Sequence, residues 1–249
     1  RVLAERRAEA TVSRPGSEAA QEEVCRAIAL HLQARHPAAF ALEAGAVRGP
    51  EGEELSPLDL DAAAALVEED LVVMRDAGGE GVWTMEAASV CFSFAGAAER
   101  AGAPLGGLHG AVPGYASDLG RPMDRLFRGL HPARPLWRSN WSLQFDASRV
   151  PDENARRPPA GELVARLEGG GAFLRAEYQT LRKFPVTGCV LFTILTRVDP
   201  LDDQLEGSPA AARLAASIRG LSPGMLEYKA LDDDAFRAAL LAHLDRISP

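Results

Sequence analysis

The residues best equipped for chemistry lie in the stretch Phe173-Leu-Arg-Ala-Glu-Tyr-Gln-Thr-Leu-Arg-Lys-Phe184. In a strand, successive side chains point to opposite faces, so Arg175, Glu177 and Gln179 share one face, bracketed by Phe173 and Leu181. Polar groups at the centre of an apolar-flanked strand suggest a site. A carboxylate there is partly desolvated, which suits it to accept a proton from a cationic group or to form an ion pair with it. A guanidinium fork beside it matches a carboxylate with two parallel hydrogen bonds. The same alternation also fits an edge strand whose polar side meets water, with Glu177 a structural partner of Arg175 or Arg138.

The run Gly188-Cys-Val-Leu-Phe-Thr-Ile-Leu-Thr-Arg197 is dense in β-branched and aliphatic residues and predicts a central strand paired to the first across the Pro185–Gly188 turn. Leu136-Trp-Arg-Ser-Asn-Trp-Ser-Leu-Gln-Phe145 predicts another. Its alternation sends Trp137, Ser139, Trp141, Leu143 and Phe145 one way and Arg138, Asn140, Ser142 and Gln144 the other. Asp70-Leu-Val-Val-Met74, a Gly78-Gly79 turn and Val82-Trp-Thr-Met85 predict a hairpin continuing into Ser89-Val-Cys-Phe92.

Helices are predicted from Ser17 to Ala34, from a Ser56-Pro57 cap to Val67, briefly over Phe94 to Ala101, and from Leu119 to Leu130. Three more follow at Ser208–Ile218, Ser222–Lys229 and Asp233–Ile247. Residues 102 to 114 are expected to be a Gly- and Pro-rich loop carrying His109, and Pro151 to Gly161 a surface excursion. Helices, then about five antiparallel strands with intervening helices, then helices, give one α+β domain.

A net charge of −8 disfavours a general nucleic-acid binder, which needs a basic stripe. The longest strongly apolar run, Val190 to Leu195, is far short of the roughly 20 residues that cross a bilayer, and the residues before Arg7 form no signal core. A cytoplasmic protein with neither nucleic-acid nor membrane partners is expected. The three cysteines, Cys25, Cys91 and Cys189, lie far apart, so they indicate neither a disulfide framework nor a zinc or iron–sulfur site. With no CxxCH, GxGxxG after a strand or P-loop, any cofactor is held noncovalently without a common short motif.

Several ordered runs together resemble the haem-dependent oxidative N-demethylase-like family. They are Glu69-Asp70-Leu71-Val72-Val73-Met74, Ala88-Ser89-Val90-Cys91-Phe92, Leu108-His109-Gly110-Ala111-Val112-Pro113, Arg138-Ser-Asn-Trp141 and Leu174-Arg175-Ala176-Glu177-Tyr178-Gln179-Thr180-Leu181, with Met225-Leu-Glu-Tyr-Lys229 as a weaker sixth. The resemblance spans most of the chain and implies a single domain over residues 1–249. It implies a PAS-like antiparallel sheet with flanking helices, carrying b-type haem on its face, and a histidine axial ligand to the iron. The implied activity is that of a monooxygenase or oxidase acting on a small amine with molecular oxygen, with electrons from the substrate or a separate reductase. Two positions depart from the pattern: Tyr178 stands where the family has arginine, and Ser93-Phe94 replaces proline-serine.

On that reading His109 is the ligand, since its glycine-flanked loop lets a flat macrocycle approach the backbone and imidazole suits a fifth haem position. Cys91 is the rival, although a buried strand cysteine is usually a small core hydrophobe. His31, His36, His131 and His243 fit surface or helix-end roles. Arg138, Arg175 and Arg182 are candidates for the haem propionates, with Asn140 and Gln179 as further cofactor-binding residues. Glu177 is the candidate acid–base group, and Tyr115 and Tyr178 are candidate hydrogen-bond donors to bound oxygen. Loss of a positive charge at position 178 leads to the expectation of a substrate other than dimethylamine, larger or less charged. The competing class is a noncatalytic haem or small-molecule sensor, because a PAS-like fold does not fix function.

Overall fold

The structure, a computed structural model, describes residues 2–43, 46–49, 54–55, 59–76, 78–93, 96–150 and 158–249. Its strands are β1 (Thr11–Ser13), β2 (Ala41–Glu43), β3 (Ala46–Arg48), β4 (Glu54–Leu55), β5 (Asp70–Arg75), β6 (Thr84–Ser89), β7 (Leu136–Gln144), β8 (Phe173–Lys183) and β9 (Val190–Pro200). Its α-helices are α1 (Val2–Ala10), α2 (Glu18–Arg35), α3 (Leu60–Leu66), α4 (Leu105–Leu108), α5 (Gly120–Gly129), α6 (Ala160–Glu168), α7 (Leu201–Leu205), α8 (Pro209–Arg219), α9 (Pro223–Tyr228) and α10 (Asp234–Ile247). Six strands form an antiparallel sheet in the order β1-β6-β5-β9-β8-β7, and β2-β3-β4 form a small second sheet. The expected α+β class with an antiparallel sheet is therefore what the chain adopts.

Two compact units divide the residues. The first comprises Arg1–His109, Ala116–Arg138 and Tyr178–Leu195; the second comprises Gly110–Tyr115, Ser139–Glu177 and Thr196–Pro249. In the first, α2 and α3 cover one side of the sheet through Val24, Cys25, Ala29, Leu60 and Ala63, against Leu71, Val73, Phe184 and Leu191. A second cluster joins Val72, Met74, Trp83, Met85, Leu105 and Phe127, with Leu108, Leu181 and Phe192 packed against it. In the second unit, Leu163, Leu167, Leu214, Phe236, Leu240 and Leu244 form a helical core on which Trp141, Leu143, Phe145 and Leu174 rest. Trp141, Leu143 and Phe145 are the later members of the apolar side that the alternation of β7 predicts; Trp137, expected on the same side, is 68% exposed.

Local chemistry explains where elements begin and end. The helix expected from a Ser56-Pro57 cap instead starts at Leu60, because the Asp59 carboxylate accepts from the Ala62 amide at 2.8 Å. Ser56 and Pro57 lie outside the described residues. Pro151–Arg157 of the expected surface excursion also lie outside them, and α6 begins just beyond. The short helix expected over Phe94 to Ala101 is a 3₁₀ turn over Ala98–Arg100, and Phe94 and Ala95 are outside the description. The loop expected over residues 102 to 114 contains the one-turn helix α4, whose Leu105 amide donates to the Trp83 carbonyl at 3.1 Å.

The β5–β6 hairpin ends in a turn organised by Asp70, which is buried. Its carboxylate accepts from the backbone amides of Cys91 (2.7 Å), Phe92 (2.9 Å) and Ser93 (2.6 Å) and from the Ser93 hydroxyl (2.6 Å). Ser93, one of the two departures from the resemblance, thus holds its place by binding this carboxylate. Burial pushes the Asp70 carboxyl above its usual range, while the four donors pull against that.

Candidate active site

The β8–β9 hairpin closes at Pro185–Gly188, where the Gly188 amide donates to the Phe184 carbonyl at 3.1 Å and the Phe184 amide to the Cys189 carbonyl at 2.8 Å. Gly188 has φ +70, a conformation that glycine adopts without a Cβ clash. The closed hairpin sets the alternation of β8: Arg175 and Gln179 are buried, Glu177 is sheltered, and Tyr178 and Arg182 are exposed.

In the first unit, Arg138 on β7 donates from Nε to Gln179 Oε1 on β8 at 2.6 Å. A guanidinium only donates, so Gln179 must turn its carbonyl toward it. In the second unit, Glu177 gathers two donors. Asn140 Nδ2 lies 3.3 Å from Oε2 and Arg175 Nε lies 3.4 Å from Oε1. The Arg175 and Glu177 side chains are 10% and 13% exposed, shelter enough to strengthen a pair whose distance is long. Arg175 also reaches the Arg149 carbonyl with Nη1 at 3.1 Å. The residues expected to share a polar face therefore meet in pairs across β7 and β8.

Other candidates lie elsewhere. Tyr178 alternates away from Glu177 and stacks on Trp137, ring centroids 5.5 Å apart, both rings exposed. Arg182 shares that alternation and holds its guanidinium 5.2 Å over the Phe184 ring. Tyr115 is buried at the start of a π-helical turn, Tyr115–Leu119. Cys91 is buried in the Asp70 turn, where burial raises its thiol pKa above the ordinary range and keeps it protonated.

His109 caps the C-terminus of α4. Its Nδ1 lies 2.9 Å from the Leu105 carbonyl, which can only accept. Nδ1 therefore donates to it, and in the neutral ring this leaves the lone pair on Nε2, the tautomer common to metal-binding imidazoles. Among the described residues no cluster of three or more His, Cys, Asp or Glu is arranged to hold a metal ion. A haem, held largely by its macrocycle, would ask for one such imidazole rather than a cluster.

Three residues go beyond the sequence reading. Lys229, just after α9, donates to the Trp141 carbonyl at 2.5 Å and to Asn140 Oδ1 at 3.4 Å, with its ammonium 4.3 Å from the Trp141 ring centre. Its one sequence signal is the end of the Met225–Lys229 run. Trp83 is 5% exposed, and its indole Nε1 has no acceptor among the described residues. Lys183 lies over that ring at 5.7 Å. A buried indole N–H with no acceptor among the described residues, in the cluster that supports α4, calls for a partner such as a water or a bound group.

Among the described residues no helix is long and apolar enough to cross a membrane. No curated protein matches the chain. The sequence model of haem-dependent oxidative N-demethylases, alpha subunit-like, matches residues 1–238, and the chain belongs to that family.

Proposed function

We propose that the protein is a b-type haem enzyme that oxidises a small amine or N-methylated metabolite with molecular oxygen. The reading rests on His109, whose Nδ1 lies 2.9 Å from the Leu105 carbonyl, a contact that in the neutral ring assigns the lone pair to Nε2. Family membership supports the haem, and the donor set fits it: one oriented imidazole, buried or paired guanidinium groups, and a buried indole N–H. When bound, haem supplies the oxygen chemistry that removes electrons from the C–N unit.

The chain's own residues bind and orient. His109 would hold the haem iron through its imidazole. Arg138, in the first unit, and Arg175, in the second, are each a candidate partner for a haem propionate, and each is already held by a partner, Gln179 Oε1 or the Arg149 carbonyl. Glu177, sheltered between Asn140 and Arg175, receives the ammonium of the substrate and holds its proton at a carboxylate oxygen. Tyr178 stacks on Trp137 on the other face, so the departure at this position acts on Glu177 only through charge. The substrate is an amine other than dimethylamine, larger or less charged.

The test is an absorption spectrum of the purified protein followed by oxygen uptake with a panel of amines. A Soret band together with amine-dependent uptake is expected. A Soret band with neither uptake nor reduction of the iron by any amine supports a haem sensor instead, and full haem content without His109 removes the ligand assignment.

A further inference from the structure

We propose that Lys229 is a positioning residue of the Glu177 site, which it governs by fixing the orientation of the Asn140 amide. This rests on the reading of Glu177 as the amine-binding group. An ammonium has three donors and no acceptor, so the amide facing Lys229 must present Oδ1. Lys229 Nζ does lie 3.4 Å from Asn140 Oδ1. Once Oδ1 is committed, Nδ2 faces the other way, and Glu177 Oε2 lies 3.3 Å from it. Reversal of the amide would set a carbonyl oxygen against a carboxylate and an NH₂ against an ammonium. Lys229 thus selects the one rotamer that offers Glu177 a donor.

The lysine is held firmly enough for this role. Trp141, the residue after Asn140, accepts from it through its carbonyl at 2.5 Å and covers its charge with the indole at 4.3 Å. Beyond it, Ala230 takes φ +55, and the Leu231 amide returns to the Leu226 carbonyl at 2.7 Å, which closes the end of α9. At the other end of α9, a side chain at Gly224 would meet Pro113 at 3.3 Å, so the helix lies close against that segment. Burial lowers the Lys229 pKa, and the Glu177 carboxylate opposes that shift, which links the two groups electrostatically. Among the described residues the charged groups near Glu177 include Arg175 on its own strand and Lys229 just after α9, with Arg149 joined to Arg175 through its carbonyl.

The experiment is ¹³C NMR of the Glu177 carboxyl in the full chain as purified, with any haem iron held as the diamagnetic ferrous carbonyl and the signal assigned from its loss in Glu177→Gln. Lys229→Met is expected to move the titration midpoint to higher pH, and Lys229→Arg, which keeps the donors, to restore most of it. In an Asn140→Leu background the Lys229→Met shift should fall to less than half. An unmoved midpoint in Lys229→Met, or the same shift with and without Asn140, would overturn the proposal. Dimethylammonium chloride added to the wild-type sample tests the amine reading separately: a Glu177 signal indifferent to amines while the Lys229 shifts hold defeats that reading and leaves the positioning role standing.

Discussion

Arg138 Nε and Gln179 Oε1 lie 2.6 Å apart across β7 and β8, and the two residues differ sharply in exposure: Arg138 is open to solvent, whereas Gln179 is 5% exposed. An exposed cation is therefore anchored by a buried carbonyl. Removing the arginine leaves a buried amide without this partner, a loss of about 1–3 kcal/mol. Arg138→Ala is expected to lower the unfolding free energy by that amount in urea titrations and, with Arg175→Ala, to raise the haem release rate by roughly tenfold or more each. Unchanged release in both variants would mean that neither guanidinium pairs with the propionates.

His109→Ala should lose the Soret band or change its ligand signature, with little effect on secondary structure, because His109 sits at the end of the short α4 rather than in a core. Added imidazole should restore part of the spectrum. Full haem content with the wild-type spectrum in the variant would transfer the ligand role to another residue.

Glu177→Gln preserves shape and removes charge. It should retain haem yet weaken amine binding by about tenfold or more, as expected for an ion pair worth roughly 1.5–3 kcal/mol. The substituted amide also offers an NH₂ where both Asn140 and Arg175 already donate, so some loss of order around β7 is expected. Wild-type turnover in this variant would remove Glu177 from the proposed function.

Much of this arrangement is written in local pattern. The alternation of Leu136–Phe145 separates Arg138 and Asn140 from Trp141 and Leu143, because one side of β7 rests on the helical core of the second unit. The three C-terminal helices are legible from Ser208, Ser222 and Asp233, each of which accepts from an amide of the first turn. What eluded the sequence depends on contacts far along the chain. Helix α4 carries Gly106 and Gly107 and reads as loop; a hydrogen bond from Leu105 to the Trp83 carbonyl places its start. Lys229 reads as the end of a helix, and only the fold brings it to Asn140, 89 positions away. Helix α6 is nine residues long, preceded by prolines, and has two buried leucines, Leu163 and Leu167, too weak a period to stand out.

Asp70→Asn should be among the most destabilising single changes outside the site. The carboxylate binds three backbone amides and a hydroxyl, and an asparagine can offer one oxygen while placing an NH₂ against donors. A loss of about 2–4 kcal/mol is expected, read as a lower urea midpoint with unchanged slope. Ser93→Ala should cost less, about 1 kcal/mol, since the three amides remain.

Stability should also fall in alkali, and Cys25 sets the sign. The thiol is fully buried in the core between α2 and α3, and burial pushes its pKa up from about 9 to about 11, with the Asp59 charge adding to the rise and a backbone hydrogen bond from Ala63 opposing it. The folded state therefore keeps a proton that the unfolded chain releases. The stabilising contribution is complete below the unfolded value and is lost as pH rises through the folded one. Cys91 and Cys189 are raised in the same direction by burial, so their contributions add. For Cys25 alone the loss amounts to about 2 kcal/mol by about pH 10.5, or roughly 4–8 °C in Tm for a chain of this size. Lys229 works in the opposite sense, because its lowered pKa favours the folded state as pH rises. Thermal melts at intervals between about pH 8 and pH 11 should show the decline, and Cys25→Ala, though less stable at neutral pH through lost packing, should show a shallower one. Equal slopes in the two proteins would mean that Cys25 titrates in the folded state as it does in the unfolded chain.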